Sequence, residues 1–284
     1  MFDRRSKNVL IFNDTMDLIE NSQILMEAVE DSINRQQLYL QTDDVIIPES
    51  KKQTCQTVVS PKRSFEAASG YARAGKKVCV LNFASATNPG GGVVNGSSAQ
   101  EESLCRCSTL YPCLDEGELW QRFYIPHRTA ADPLYNDDCI YTPDVIVTKS
   151  DISFPERMSE EEWYKVDVLT CAAPNLRNVP SNMMNPNAGD KPADIEGDDL
   201  YRLHVQRIER IFQVAAANGA EVLILGAFGC GAFCNPPEVV SKAFYDVQKK
   251  YEGYFEIIEY AIFCGGHETP NYDAFCKTFG AGYE

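Results

Sequence analysis

Two periods of apolar residues divide this chain, and the changeover falls near Thr57. Ahead of it, Met16, Ile19, Ile24, Leu25, Ala28 and Ile33 recur at helical spacing. They predict a helix within residues 16–40, followed by a polar connector over 41–53 that contains Pro48. Beyond the changeover, short apolar runs alternate with amphipathic stretches. Residues 57–59 predict a strand; Ser60 and Pro61 supply an N-cap and a first helical proline, and that helix runs to Ala74 with Gly75 ending it. The unbroken apolar run KVCVLNFA, 77–84, predicts a strand buried on both faces. Further strands are expected at 145–147, 166–172, 222–225 and 255–263, and helices at 99–111, 200–218 and 239–251. In the second of these helices Leu200, Leu203, Ile208, Ile211, Phe212 and Ala215 share a face. Residues 112–140 read as irregular cover, and the Asn-, Pro- and Gly-rich segment 178–197 as a mobile loop. Strands alternating with helices predict an α/β three-layer sandwich with ligand sites at the carboxyl ends of its strands. The expected organisation is an N-terminal extension, 1–56, packing on one domain, 57–284.

Composition narrows the function classes more than it narrows the fold. Hydrophobic residues at 44% and charged residues at 24% are ordinary for a globular protein, and 284 residues allow a sizeable core. No apolar run approaches the ~18 residues a membrane helix needs, and the start MFDRRSKNVLIF lacks the apolar segment of a signal peptide, so no membrane association is expected. Eleven cysteines, an odd number with several inside predicted strands (Cys79, Cys171, Cys264), point to free thiols and a reducing, cytoplasmic compartment. A net charge of −15 argues against a broad nucleic-acid face; a polyanionic ligand would be gripped locally by backbone amides. A monomer is the expected state.

Candidate chemistry concentrates in two glycine-rich stretches. In NPGGGVVNGSSAQEE, 88–102, Gly90, Gly91 and Gly92 follow a buried strand, and Gln100, Glu101 and Glu102 open a helix. Such glycines permit positive φ and close backbone approach, and the adjacent carboxylates offer an acid/base group. Ser98 and Glu101 also fit a capping box, a structural reading that leaves Glu102 unexplained. The second stretch, GAFGCGAFCNPP, follows the 222–225 strand. It nearly spells a dinucleotide fingerprint, but Cys234 stands where the third glycine belongs and no acidic residue closes a following strand at the usual distance. Its place before a helix still suits a diphosphate. Cys105 and Cys107 with Cys113, or Cys230 with Cys234, make no CxxC pair, and His127, His204 and His267 stand at no zinc-finger spacing. No metal or cofactor is expected, and His204, at the polar edge of its helix stripe, reads as structural. Neither a Gly-x-Ser-x-Gly elbow nor a P-loop is present.

These segments carry a family resemblance. LNFASATNPGGGVVNGSSAQEESLCRCSTLY, 81–111, resembles the signature of the bacterial-type poly(ADP-ribose) glycohydrolases of the macrodomain superfamily, a triple glycine followed at short spacing by Gln-Glu-Glu. GAFGCGAFCNPPEVV, 226–240, is similar to their diphosphate loop, and 141–147 and 166–176 to family strands. The similarity spans roughly 57–276 and is less distinct over the first fifty residues. It implies a macrodomain-like α/β/α sandwich with a mixed sheet, binding the terminal ADP-ribose of poly(ADP-ribose) without a metal and acting from chain ends. On the same resemblance, Asn88, Gly90, Gly91 and Gly92 lie against the distal ribose. Gly226, Gly229, Cys230, Gly231 and Ala232 wrap the diphosphate, and Phe233 packs on the distal ribose. Glu102 is the acid catalyst, Glu101 holds the ribose hydroxyls, and Gln100 belongs to the substrate contacts. The chemistry agrees: cleaving a ribose–ribose bond needs an acid at the leaving 2′-oxygen, and one glutamate can then activate water as the base. Burial and the neighbouring Glu101 should raise the Glu102 pKa. Two other readings compete. An ADP-ribose reader has no need of the acid; a mono-ADP-ribose hydrolase would use the same pocket with another leaving group.

Overall fold

The computed structural model describes residues 3–50, 54–264 and 270–280; His267 and part of the expected connector lie outside them. Seven strands form one sheet: β1 (Gln37–Tyr39), β2 (Gln56–Ser60), β3 (Val78–Phe83), β4 (Cys139–Val147), β5 (Tyr164–Cys171), β6 (Val222–Leu225) and β7 (Ile257–Ala261). Their spatial order is β1-β4-β5-β3-β6-β7-β2. The five from β5 to β2 run parallel, while β4 is antiparallel to β5 and β1 antiparallel to β4, so the sheet is mixed.

Period-2 alternation explains why both faces are covered. In β3, Cys79 and Leu81 point into one apolar cluster while Val78 and Val80 point into another; Leu223 and Leu225 against Val222 and Ile224 do the same in β6. The first cluster includes the inward stripes of α8 (Gly197–Ala217), α9 (Pro237–Tyr251) and α10 (Pro270–Phe279). The second takes residues of α1 (Arg4–Glu20), α3 (Ser64–Arg73), α4 (Gln100–Cys107) and α5 (Leu110–Leu114). This is the expected α/β three-layer arrangement.

Several local expectations are corrected. The helix expected within 16–40 is two helices, α1 and α2 (Gln23–Arg35), because Asn21 leaves the helix and Ser22 caps the next one through its Oγ. Ile24 is therefore exposed rather than on a buried face. The segment then adds β1 to the edge of the sheet against β4. Ser60 is the last residue of β2 and donates to Glu259 Oε1 at 2.6 Å, whereas α3 starts at Ser64 after Arg63. The expected 99–111 helix is broken where Ser108 turns extended and bridges to Val147. Residues 112–140 are largely helical: α5, α6 (Gly117–Leu119), a π-helical stretch Trp120–Tyr124 and α7 (Ile125–Ala130). Pro112 sits in the first turn of α5, where a missing N–H breaks no helical hydrogen bond, and Pro126 lies in α7, which follows directly on the π-helical stretch.

Candidate active site

Because five strands run parallel, their carboxyl ends open on one edge of the sheet, and a cavity of about 900 Å³ lies there. Each strand delivers residues to its wall: Ala173 beyond β5, Phe83 closing β3, Ala227 and Gly229 beyond β6, Phe263 beyond β7, and Lys62 with Arg63 beyond β2. The first turn of α4 inserts Gln100, Glu101 and Glu102 into the same wall.

The capping-box expectation fails. Ala99 is the N-cap of α4, with no side-chain cap, so Glu101 is free to turn toward the sheet. Its Oε2 accepts from the Ser85 amide at 2.8 Å and its Oε1 from Asn82 Nδ2 at 3.3 Å. Glu102 Oε1 accepts from the Gly92 amide at 2.9 Å, while its Oε2 is buried without a hydrogen-bond partner. Both carboxyls are pushed above the ordinary carboxylate range by burial. For Glu101 the neighbouring Glu102 charge adds to the push, and for Glu102 the Gly92 amide opposes it. The hydrogen bonds sort the pair: two donors favour the ionised form of Glu101, and the bare Glu102 oxygen is where a proton can sit. The two residues are neighbours in the first turn of α4, and Glu102 Oε2 is the carboxyl oxygen of the pair that no protein donor holds.

Within the glycine triplet the three residues do different work. Gly91 lines the cavity at φ +58°, and a Cβ there would meet Glu102 Oε1 at 2.7 Å and Glu101 Oε2 at 3.0 Å. Gly90 instead packs on the ring of Tyr111, and Gly92 on Ser97 Oγ and Met184 Sδ. Asn88 braces the loop, donating to the Gly91 carbonyl and accepting from Arg128 Nη2 at 3.2 Å. Gln100 lines the cavity but spends its amide on protein: it accepts from Phe83 N (2.9 Å) and donates to Leu81 O (2.8 Å) and Ser64 Oγ (3.0 Å). The structure thus makes Gln100 the pin that fixes α4 against β3.

The second loop meets the first across the cavity through Ala227, Gly229, Gly231, Ala232 and Phe233. Its closing hydrogen bonds use the amides of Phe228, Cys230, Cys234 and Asn235. Among the described residues, the amides of Gly229, Gly231, Ala232 and Phe233 donate to no protein acceptor, which is what a diphosphate-binding turn requires. Gly226 lies behind the wall, where a Cβ would stand 2.7 Å from the Ala261 carbonyl. Cys230 is half-buried beside the loop with its thiol pKa raised by burial. Phe233 leans on Tyr135 with ring centroids 6.0 Å apart.

Sequence reasoning missed the residues that hold these loops in place. Asn235 Nδ2 donates to Pro174 O (2.7 Å) and Gly229 O (3.0 Å), and its Oδ1 meets His204 Nε2 at 2.9 Å. His204 is fully buried rather than at a polar edge, and burial pushes its pKa down to about 4, leaving it neutral. Asn185 comes from the segment expected to be a mobile loop, yet it is buried. It accepts from Ser85 Oγ (2.8 Å) and Thr87 Oγ1 (2.7 Å) and donates to Tyr135 Oη (2.9 Å). Asn82 did carry a signal, a polar residue inside an otherwise apolar strand. None of the eleven cysteines is in a disulfide, and among the described residues no group of three or more His, Cys, Asp or Glu could hold a metal ion. No described helix is long and apolar enough to cross a membrane.

Comparison with known proteins places this geometry. The family model described as the microbial-type poly(ADP-ribose) glycohydrolase catalytic domain matches residues 13–150. The chain is similar to the crystal structure of poly(ADP-ribose) glycohydrolase from Thermomonospora curvata, with 27% identity, TM-score 0.83, and 97% of this chain covering 100% of that one. The same enzyme bound to the inhibitor ADP-HPD matches at 28% identity and TM-score 0.81, over 96% of this chain and 99% of that one. The Deinococcus radiodurans enzyme in complex with ADP-ribose matches at 26% identity and TM-score 0.75, over 89% and 97%. No curated protein sequence matches.

Proposed function

We infer that this chain, which belongs with the microbial-type poly(ADP-ribose) glycohydrolases, hydrolyses the terminal ribose–ribose O-glycosidic bond of poly(ADP-ribose) and releases ADP-ribose from chain ends. The observation that carries the mechanism is the buried, unpartnered Oε2 of Glu102 in the cavity wall. As a neutral carboxyl it donates its proton to the leaving 2′-oxygen as the C1″–O bond breaks and the ribose takes on oxocarbenium character. The resulting Glu102 carboxylate accepts a proton from the water that attacks C1″, so the acid is regenerated and the product carries a new hydroxyl. Glu101, held by Ser85 and Asn82, has lone pairs left for the ribose hydroxyls and keeps a negative charge beside the developing cation. The free amides of the second loop take the diphosphate, and Phe233 backs the distal ribose. At the far rim the exposed Phe263 ring, with the Arg63 guanidinium 3.9 Å from its centroid, offers a stacking surface for adenine.

Charge supports a polyanionic substrate. In a protein of net charge −15, the cavity is bordered by Arg5, Lys62, Arg63 and Arg177. The free thiols favour a reducing compartment as the place of action. The test is to incubate the protein and Glu102→Gln with labelled poly(ADP-ribose) and separate the products by chromatography. Wild type should release ADP-ribose, with the variant slower by roughly 10²–10⁴. Equal inactivity with retained ADP-ribose binding would leave a reader, and full activity in the variant would mean another acid.

A further inference from the structure

The four cations at the cavity are not equivalent. Arg63 stacks on Phe263, and Lys62 lies 3.9 Å from Glu259 Oε1, so both belong to the β2–β7 end. Arg177 follows Leu176, whose amide donates to the Phe233 carbonyl at 2.9 Å, so it stands beside the diphosphate loop. Arg5 alone of the four comes from the N-terminal helix. It sits in the first turn of α1, and its carbonyl and Cγ press on Gly96, the residue before the Ser97–Ser98 wall segment that leads into Gln100, Glu101 and Glu102. The acidic group its charge is seen to act on is the exposed Asp3, the N-cap of the same helix.

This placement is rigid, because α1 is bolted to the site. Asn8 Nδ2 donates to the Gly96 carbonyl at 3.0 Å, and Thr15 Oγ1 to the Arg106 carbonyl at 2.6 Å. The buried Lys149 ammonium donates to Ile11 O (2.8 Å) and Thr15 Oγ1 (2.6 Å) and pairs with Asp14 (2.8 Å). Arg5 is thus an exposed arginine on an anchored backbone, on the cavity wall beside the Ser97–Ser98 segment that leads into Glu102, and none of the roles given above to the terminal ADP-ribose uses it. What leaves past Glu102 is the 2′-oxygen of the next adenosine, and that ribose carries its own 5′-diphosphate.

We propose that Arg5 receives the diphosphate of the penultimate ADP-ribose unit, making this end of the cavity selective for polymer over leaving groups that lack a phosphate. The proposal rests on the glycohydrolase reading above. It gives the N-terminal helix a part in substrate choice, beyond its packing on the sheet.

The test compares two substrates: a dimer of ADP-ribose, and ADP-ribose joined through the same 1″→2′ bond to plain adenosine. Arg5→Gln should raise KM for the dimer about threefold to tenfold with kcat nearly unchanged, and leave the adenosine compound and free ADP-ribose binding as in wild type. Arg5→Lys should restore part of the effect. On long polymer, the slope of log KM against log salt should fall by about 0.7, the value for one phosphate contact on a single-stranded polyanion. Parallel KM values for the two substrates in Arg5→Gln and wild type would overturn the proposal. The same comparison made as binding to Glu102→Gln, with and without Arg5→Gln, needs no turnover. Failure of wild type to hydrolyse either substrate would therefore overturn the hydrolase reading, while the Kd ratio still decides Arg5.

Discussion

Replacing Gly91 by alanine isolates the contribution of one close approach to catalysis. Two costs follow from the structure. At φ +58° an alanine pays about 1–2 kcal/mol for the left-handed backbone. Its Cβ would also stand 2.7 Å from Glu102 Oε1, against the 3.4 Å at which ordinary contacts begin, so the carboxyl must move by 3.4 − 2.7 = 0.7 Å or the loop must give way. Either shift stretches the bond from the Gly92 amide that aims the proposed acid, now 2.9 Å long. Misplacing a catalytic group by this much costs on the order of tenfold to a hundredfold in rate. Gly75→Ala is the control: it has φ +82° with open space around the new methyl, and it lies at the end of α3 away from the cavity. Thermal or urea unfolding should show both variants destabilised, Gly91→Ala by more because it alone bears the clash as well as the backbone cost. Release of ADP-ribose from polymer should fall only in Gly91→Ala, chiefly in kcat. If Gly91→Ala kept kcat within about twofold while losing at least as much stability as Gly75→Ala, the proposed tie between the triplet and the acid would be wrong.

Two further predictions concern pH. The folded pKa of Glu102 is raised above its 4.5 reference, so the native state holds more protons than the unfolded chain, and the stability it contributes is lost as pH rises through the folded value. Glu102→Gln should therefore gain stability relative to wild type as pH rises from 5 to 8; a difference that stays flat over that range would refute the protonated-acid assignment. His204 has the opposite sign: its pKa is depressed from 6.5 to about 4, so acidification between those values removes stability, about 3 kcal/mol once protonation is complete. The urea midpoint of His204→Gln should fall less steeply than wild type below pH 6.5, and identical acid limbs would show that another group carries the transition.

Local patterns determined a good deal of this protein. A continuous apolar run such as VCVLNF can only be satisfied between two covered faces, so β3 was legible from residue types alone, as were the stripe of α8 and the strand of β6. The glycine triplet, the Gln-Glu-Glu turn and the second glycine loop were legible for the same reason, since each demands a backbone or a charge that few other roles require. What local pattern does not carry is the identity of the partner across the chain. Ser98 and Glu101 had the spacing of a cap, yet the carboxyl of Glu101 went to Ser85 because the parallel strands bring the end of β3 beneath α4. Asn185 and Asn235 looked like loop residues until their amides were seen bridging backbone and hydroxyl groups far away in sequence. Arg5 lies ninety-odd residues from the carboxylates, and only the packing of α1 on Gly96 puts it on the wall of the same cavity. The reason is physical: periodicity encodes which face of an element is apolar, whereas the direction of a buried polar group is settled by whichever donor or acceptor the assembled fold leaves unsatisfied.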